Sequence, residues 1–362
     1  MFQLKKPGRN LIGTGILAAL TAALIAAARL LPKFWFSFYS DFSRGAMHVL
    51  GIAFGRIPFP LWEAVLAALI LGAIVWLVYA CKKHRFFGWL TAILEVLALL
   101  AFLFVGLWGL NHFAPPLKDQ IGLEVRAYTE TELKQAAQFY ARQASEASKA
   151  VERDENGDIV LPSFSEMAQT AEECYVNLGR TVSRFDHPVN RVKPLLVSKA
   201  FAYMGTTGVF VCLTGEPSVS TECFPLAQPF TICHELGHSL AFAAEDEANY
   251  CAYLATMASD DPLFRYSGCY EAYVYCFNAL YDVRPSAAQK LWDLCSDELI
   301  HDCNVNVSHN QQYEGKVQEA AQAVNDGYLK AFDQPEGVRS YGLVADYLIA
   351  AYLAQKEAAS GS

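Results

Sequence analysis

The chain is short of charge and has no two cysteines in a C-x-x-C spacing. Only 18% of its 362 residues are Asp, Glu, Lys or Arg, against 53% hydrophobic residues, and the mean hydropathy is +0.18. That balance is too apolar for an ordinary soluble protein and fits a membrane region joined to one sizeable domain. The missing C-x-x-C argues against a cysteine zinc site or a thioredoxin-like redox motif. A net charge of −9 leaves no basic patch for nucleic acid. No internal repeat or low-complexity tract is present.

Charge is scarcest at the front. Leu11 to Ala28 and Ala64 to Ala80 carry none, and Phe86 to Leu110 carries only Glu95. These runs predict three membrane spans near residues 11–31, 61–81 and 87–110, hence a membrane region over 1–110 and a soluble domain over 111–362. The first run lacks the small-residue cleavage site of a signal peptide and is followed by Arg29 and Lys33, so it reads as a retained anchor. Lys82-Lys83-His84-Arg85 reads as the basic turn of a membrane hairpin. Together with Lys5, Lys6 and Arg9 it places the cytoplasmic side, and so puts the loop from Lys33 to Pro60 and the large domain outside the cell membrane, although Lys33, Arg44 and Arg56 weaken the bias. Glu95 is a functional candidate as a carboxylate within a span, with a hydrogen bond to a neighbouring helix or a reach toward Arg85 as the structural alternative.

The large domain reads as mostly helical with a small β element. Thr129 with Glu132, and Ser163 with Glu166, are capping boxes, the first opening a helix to about Arg153. Asp154 to Asp158 is a solvated turn. The strongest strand signal is Gly208 to Thr214, which is suited to hold an extended peptide by main-chain pairing. Of the ten cysteines, Cys233 and Cys251 read as core, and Cys212 and Cys223 are the pair expected to form a disulfide in an oxidising compartment.

Chemistry is concentrated in His234-Glu235-Leu236-Gly237-His238. On a helix the two imidazoles lie one turn apart on the same face and can share one Zn²⁺, while Glu235 can reach a water on that metal as general base. Thr231 is the candidate N-cap of this helix. A hydrolytic zinc site needs a third protein ligand, and Glu245 is the first choice with Glu247 as the alternative. Were the helix straight, Glu245 would lie about 13 Å along the axis from the histidines. The chain must therefore turn near Ala241 to Ala244. Asn249, one turn beyond Glu245, is placed to support a metal ligand. Tyr341 and His309 are candidate donors to a developing oxyanion, but nothing in the sequence brings either to the metal, and structural packing or surface exposure is the favoured reading of both.

Thr214-Gly215-Glu216, Pro229-Phe230-Thr231, the histidine pentapeptide, Glu245-Asp246-Glu247-Ala248-Asn249 and Gly337-Val338-Arg339-Ser340-Tyr341-Gly342 together resemble the bacterial membrane family known as domain of unknown function 3810. The resemblance covers nearly the whole chain. It implies three N-terminal spans, a zincin-like domain and zinc metallopeptidase activity with no established substrate. More distantly, the Glu245-to-Asn249 segment resembles the third-ligand helix of gluzincin peptidases, which favours Glu245 over Glu247. Two departures stand out. Related peptidases with a short third-ligand spacing turn on a glycine where this chain has Ala241, and many gluzincins have Asp where it has Asn249.

The expectation is a multi-pass protein of the bacterial cell membrane whose extracytoplasmic, zinc-dependent domain hydrolyses peptide or protein substrates near the bilayer surface. The alternative is a non-catalytic receptor or scaffold with a structural zinc site. Intramembrane proteolysis fits poorly, because the pentapeptide lies far beyond the last span.

Overall fold

The computed structural model describes residues 7–332, 334, 336–337 and 342–360. Lys5, Lys6, Pro335, Tyr341 and the 338–341 part of the C-terminal motif lie outside them. The described chain is mainly helical and divides into two compact units. The first runs to Ala114 and includes Val211–Glu216, and the second takes the remainder from Pro115.

In the first unit, α1 (Pro7–Leu30), α3 (Leu61–Lys82) and α4 (Phe86–Leu107) are long and apolar enough to cross a membrane. Helices α1 and α4 pack along each other. Asn10 Nδ2 donates to Thr91 Oγ1 at 3.2 Å. The Glu95 carboxylate lies against Gly13 of α1, in the space that a side chain at that glycine would take, which is a helix-to-helix placement suited to a structural carboxylate.

The segment between the first two spans, read from the sequence as a loop, contains α2 (Tyr39–Gly55). Its buried stripe is Tyr39, Ser43, Met47 and Gly51, a run at i, i+4 spacing in which a hydroxyl and a glycine replace the usual large apolar groups. The polar members have partners at the end of α4. Tyr39 Oη donates to the Val105 carbonyl at 3.2 Å, and Ser43 Oγ donates to that of Leu107 at 2.7 Å. Both are carbonyls that a helix end leaves without an intrahelical donor.

The Thr214-Gly215-Glu216 motif also finds its role here. Gly215 has φ +65° and sits where a Cβ would fall 2.7 Å from the Gly51 nitrogen. Glu216 is buried, and its two carboxylate oxygens accept from the Leu61 and Trp62 nitrogens at 3.0 and 3.1 Å. A carboxylate thus caps the first turn of α3, where the helix dipole favours negative charge.

In the second unit both capping boxes form, on α5 (Glu130–Ala147) and α6 (Phe164–Thr181). Helix α5 ends earlier than Arg153. Beyond it a single 3-10 turn, Ser148–Ala150, brings the Arg153 guanidinium onto buried Asp302 through bonds of 2.9 and 2.8 Å. Asp154 to Asp158 is the expected turn, closed by the Asp154 carboxylate accepting from the Asn156 and Asp158 nitrogens. Strands β1 (Lys193–Pro194), β2 (Gly208–Val211) and β3 (Glu216–Val219) form a sheet in the order β1-β3-β2, so β2 is an edge. Helices α7 (Ala227–Ser239), α8 (Glu245–Met257) and α9 (Pro262–Val283) pack on one another, and α9 also packs on α5. Helices α10 (Asp297–Gln311), α11 (Lys316–Ala331) and α12 (Val344–Ser360) complete the unit.

The expected disulfide is absent, because Cys212 and Cys223 are both free thiols. Cys212 belongs to the hairpin tip between β2 and β3, whereas Cys223 lies beyond the base of β3 and its thiol donates to the Ser220 carbonyl at 3.1 Å.

Candidate metal centre

Helix α7 is buried from Gln228 to Ser239. It starts a turn earlier than the sequence suggests, and Thr231 lies inside it rather than at its cap. The reason is tertiary. Ser267 of α9 accepts from the Phe230 nitrogen at 3.1 Å and donates to the Leu226 carbonyl at 2.5 Å, while Pro229 has no N–H to satisfy. A hydroxyl from a neighbouring helix therefore does what an N-cap side chain would do.

His234 and His238 face the same side of α7 with ring centroids 4.6 Å apart. His234 Nδ1 donates to Asn249 Oδ1 at 2.8 Å, and His238 Nδ1 donates to the Phe242 carbonyl at 2.7 Å. With each Nδ1 engaged, both Nε2 atoms turn to Glu245 Oε2, at 3.2 and 3.5 Å. One ligand atom from each of His234, His238 and Glu245 lies within 4.8 Å of the others. The set could hold a metal ion, and its second-layer bonds are those that fix a ligating imidazole's tautomer.

The turn that brings Glu245 back is a helix C-terminal motif. Ala241 N donates to the His238 carbonyl at 3.0 Å and Phe242 N to that of Gly237 at 3.3 Å, the paired bonds of a Schellman end. This motif requires a left-handed residue, and Ala241 supplies it with φ +70°. The Phe242 ring holds the turn from outside, 5.5 Å from the Phe185 ring and with the Arg184 guanidinium 4.3 Å from its centroid. Ala244 is then extended, and α8 opens on Glu245. Close approach of α7 and α8 depends on Gly237, where a Cβ would sit 3.3 Å from Cys251 Cβ and from the Tyr175 hydroxyl. Tyr175 in turn donates to the Cys233 carbonyl at 2.8 Å.

Substitutions at Ala241 should separate strain from fit. Glycine there removes about 1–2 kcal/mol of left-handed strain, but adds about 0.4–1 kcal/mol of unfolded-chain entropy and gives up a buried methyl worth about 0.8 kcal/mol. The terms nearly cancel, so Ala241→Gly is expected to melt within a few degrees of wild type. Ala241→Val adds β-branched strain to a 4% exposed site and is expected to melt well below both in thermal unfolding followed by fluorescence.

Electrostatics bind the cluster together. Burial lowers the pKa of His238, but the Glu245 carboxylate outweighs it and pushes the imidazole up to about 9. Burial raises Glu245, yet the two imidazoles hold its carboxyl well below the usual range. Glu235 is pushed up to about 7 by burial, against the pull of His234 and His238. Only 4% exposed, it leaves Oε2 without a hydrogen-bond partner among the described residues. Its carboxylate lies against Gly208, the first residue of the edge strand β2, where a Cβ would come 2.8 Å from Glu235 Cγ.

Glu247, the alternative ligand, lies outside the cluster. Its Oε1 accepts from the Leu117 nitrogen at 2.7 Å, at the start of the short helix Leu117–Ile121, and burial pushes its pKa up to about 8. His309 is also committed elsewhere, with Nε2 donating to the Glu222 carbonyl at 3.0 Å. Tyr341 falls outside the described residues. Sequence reasoning missed Phe242 and Gly208, whose contributions are a backbone carbonyl and an absent side chain. Neither has a side-chain signature.

The fold and the site define a mainly helical protein with three potential membrane helices and a His-His-Glu cluster beside a buried carboxylate whose Oε2 has no hydrogen-bond partner among the described residues. The chain belongs to the family described as protein of unknown function DUF3810, whose profile matches residues 38–349. No curated protein and no solved structure matches it.

Proposed function

We propose that the protein is a membrane-anchored zinc metallopeptidase with a zincin-like, gluzincin-type site in which His234, His238 and Glu245 hold the metal. The observation that carries this reading is the pairing of the His-His-Glu cluster with Glu235, a buried carboxylate whose Oε2 has no hydrogen-bond partner among the described residues. A purely structural metal site has no use for such a group, whereas hydrolysis needs a base at that place. Bound there, zinc supplies Lewis acidity and makes water a nucleophile near neutral pH. Glu235 takes the proton of the attacking water and delivers it to the leaving amine. Asn249 and the Phe242 carbonyl keep both imidazoles in the tautomer that presents Nε2. The edge strand β2, beginning beside Glu235, suits an extended peptide added as a further strand. The basic Lys82, Lys83 and Arg85 between α3 and α4 support an extracytoplasmic catalytic domain in a bacterial membrane, acting on peptide or protein near the bilayer.

The full-length protein incubated with a broad peptide library, with zinc content measured on the same sample, tests the reading. Zinc-dependent cleavage is expected, and a zinc-loaded protein that cleaves nothing would favour the receptor or scaffold reading. Gly208→Ala gives a finer prediction. The atoms nearest the added methyl all belong to Glu235, so it displaces that carboxylate first, and displacement of about 1 Å costs on the order of 10²-fold in rate. Cleavage should fall by that order with zinc content unchanged, and undiminished cleavage would remove Glu235 from its assigned position.

A further inference from the structure

The membrane unit contains a groove that the peptidase chemistry does not use. Its volume is about 850 Å³, and it is lined by Phe42, Gly45, Ala46 and Val49 of α2, Leu103 and Leu107 of α4, and Leu213 of the hairpin tip. Asp41 is the one charged group on its lining, and it is ion-paired with Arg44 at 2.5 Å. Phe42 and Val49 are 54% and 65% exposed, an arrangement that water would penalise.

What fills the groove follows from its walls. Leu100, Leu103 and Leu107 belong to the last turns of α4, a helix apolar enough to cross a membrane, and Leu97 and Leu99 just before them are exposed. The groove is therefore continuous with the lipid-facing side of α4, and hydrocarbon is its solvent. Gly45 and Ala46 are adjacent small residues on a single turn of α2, and they leave a recess between Phe42 and Val49. An extended peptide would bring backbone N–H and C=O groups into a lining whose one charged group, Asp41, is already ion-paired. An acyl chain carries no such groups.

We propose that the groove between α2 and α4 holds one acyl chain of a membrane phospholipid. The inference rests on α4 being a membrane span but not on peptidase activity. Its test is native mass spectrometry of the full-length protein, released from mild detergent after exchange that strips loosely held lipid. Wild type should retain one phospholipid per chain. A Cβ at Gly45 would meet nothing within 4 Å, so Gly45→Phe fills the groove without disturbing the helix. Retention should fall at least tenfold in Gly45→Phe and in the second filling variant, Ala46→Trp. It should be unchanged in Leu71→Phe, at a 63% exposed position on α3 outside the groove. Absence of bound lipid from wild type, equal retention in the filled variants, or a second protein copy in place of lipid would overturn the proposal. Carbonate washing of membranes before extraction separates the two premises. Release of the chain would overturn the span itself, whereas a chain that stays in the membrane but holds no lipid overturns only the groove assignment.

Discussion

Replacing Glu245 by alanine is expected to yield a folded protein without zinc. Elemental analysis of the full-length chain should return about one zinc per wild-type molecule and only background for Glu245→Ala and His238→Ala. Loss of a group that merely orients a ligand weakens metal affinity about 10–100-fold, and loss of a ligand itself costs more. Asn249→Ala, which frees His234 Nδ1, should fall between these variants and wild type. The same cluster sets the direction of the pH dependence. With Glu245 holding the His238 pKa up to about 9, the metal-free cluster carries a proton at neutral pH that zinc must displace. Binding should therefore release about one proton near pH 7, and affinity should weaken as pH falls. Calorimetry in buffers of different ionisation enthalpy measures that proton directly. A wild-type protein that folds and takes up no zinc would end the peptidase reading.

The parts of this arrangement visible in the sequence are those governed by local geometry. Two histidines four apart must share a helix face, and a straight helix carries Glu245 out of reach, so a turn before residue 245 follows from dimensions alone. The turn's structure does not follow. A left-handed residue is normally announced by glycine, and here Ala241 takes that conformation in a segment pinned by Phe242 between Phe185 and Arg184. Tertiary contacts supply the information that the local sequence omits. The start of α7 follows the same rule, since Ser267 caps it from another helix and makes Thr231 a misleading signal.

The first unit divides in a similar way. Long apolar runs identify α1, α3 and α4 without reference to any neighbour. Helix α2 was missed because its buried stripe contains Ser43 and Gly51, residues chosen to meet the carbonyls of α4 and the backbone of the hairpin tip rather than to show an apolar period. The disulfide expectation failed for a related reason. Cys212 and Cys223 are near in sequence, but a strand and its turn separate them, and burial keeps both as thiols, with pKa values pushed up to about 12.

Glu235→Gln should produce the largest loss of activity that leaves the metal in place. The amide keeps the size and shape of the side chain but cannot accept the proton of the attacking water, a role worth about 10²–10⁴ in rate, or about 3–5 kcal/mol of barrier. Glu235 is not among the three residues whose ligand atoms converge, so zinc content should stay at the wild-type level. This combination distinguishes a base from a ligand, because Glu245→Ala is expected to lose both metal and activity. It also distinguishes a base from a structural carboxylate. Glu235 Oε2 accepts no hydrogen bond from the described residues, so an amide nitrogen placed there breaks no bond with them, and the thermal midpoint should not fall appreciably. A variant that melts far below wild type would mean that the carboxylate holds the fold together. A variant that keeps zinc, melts normally and still cleaves the library at the wild-type rate would place the base elsewhere.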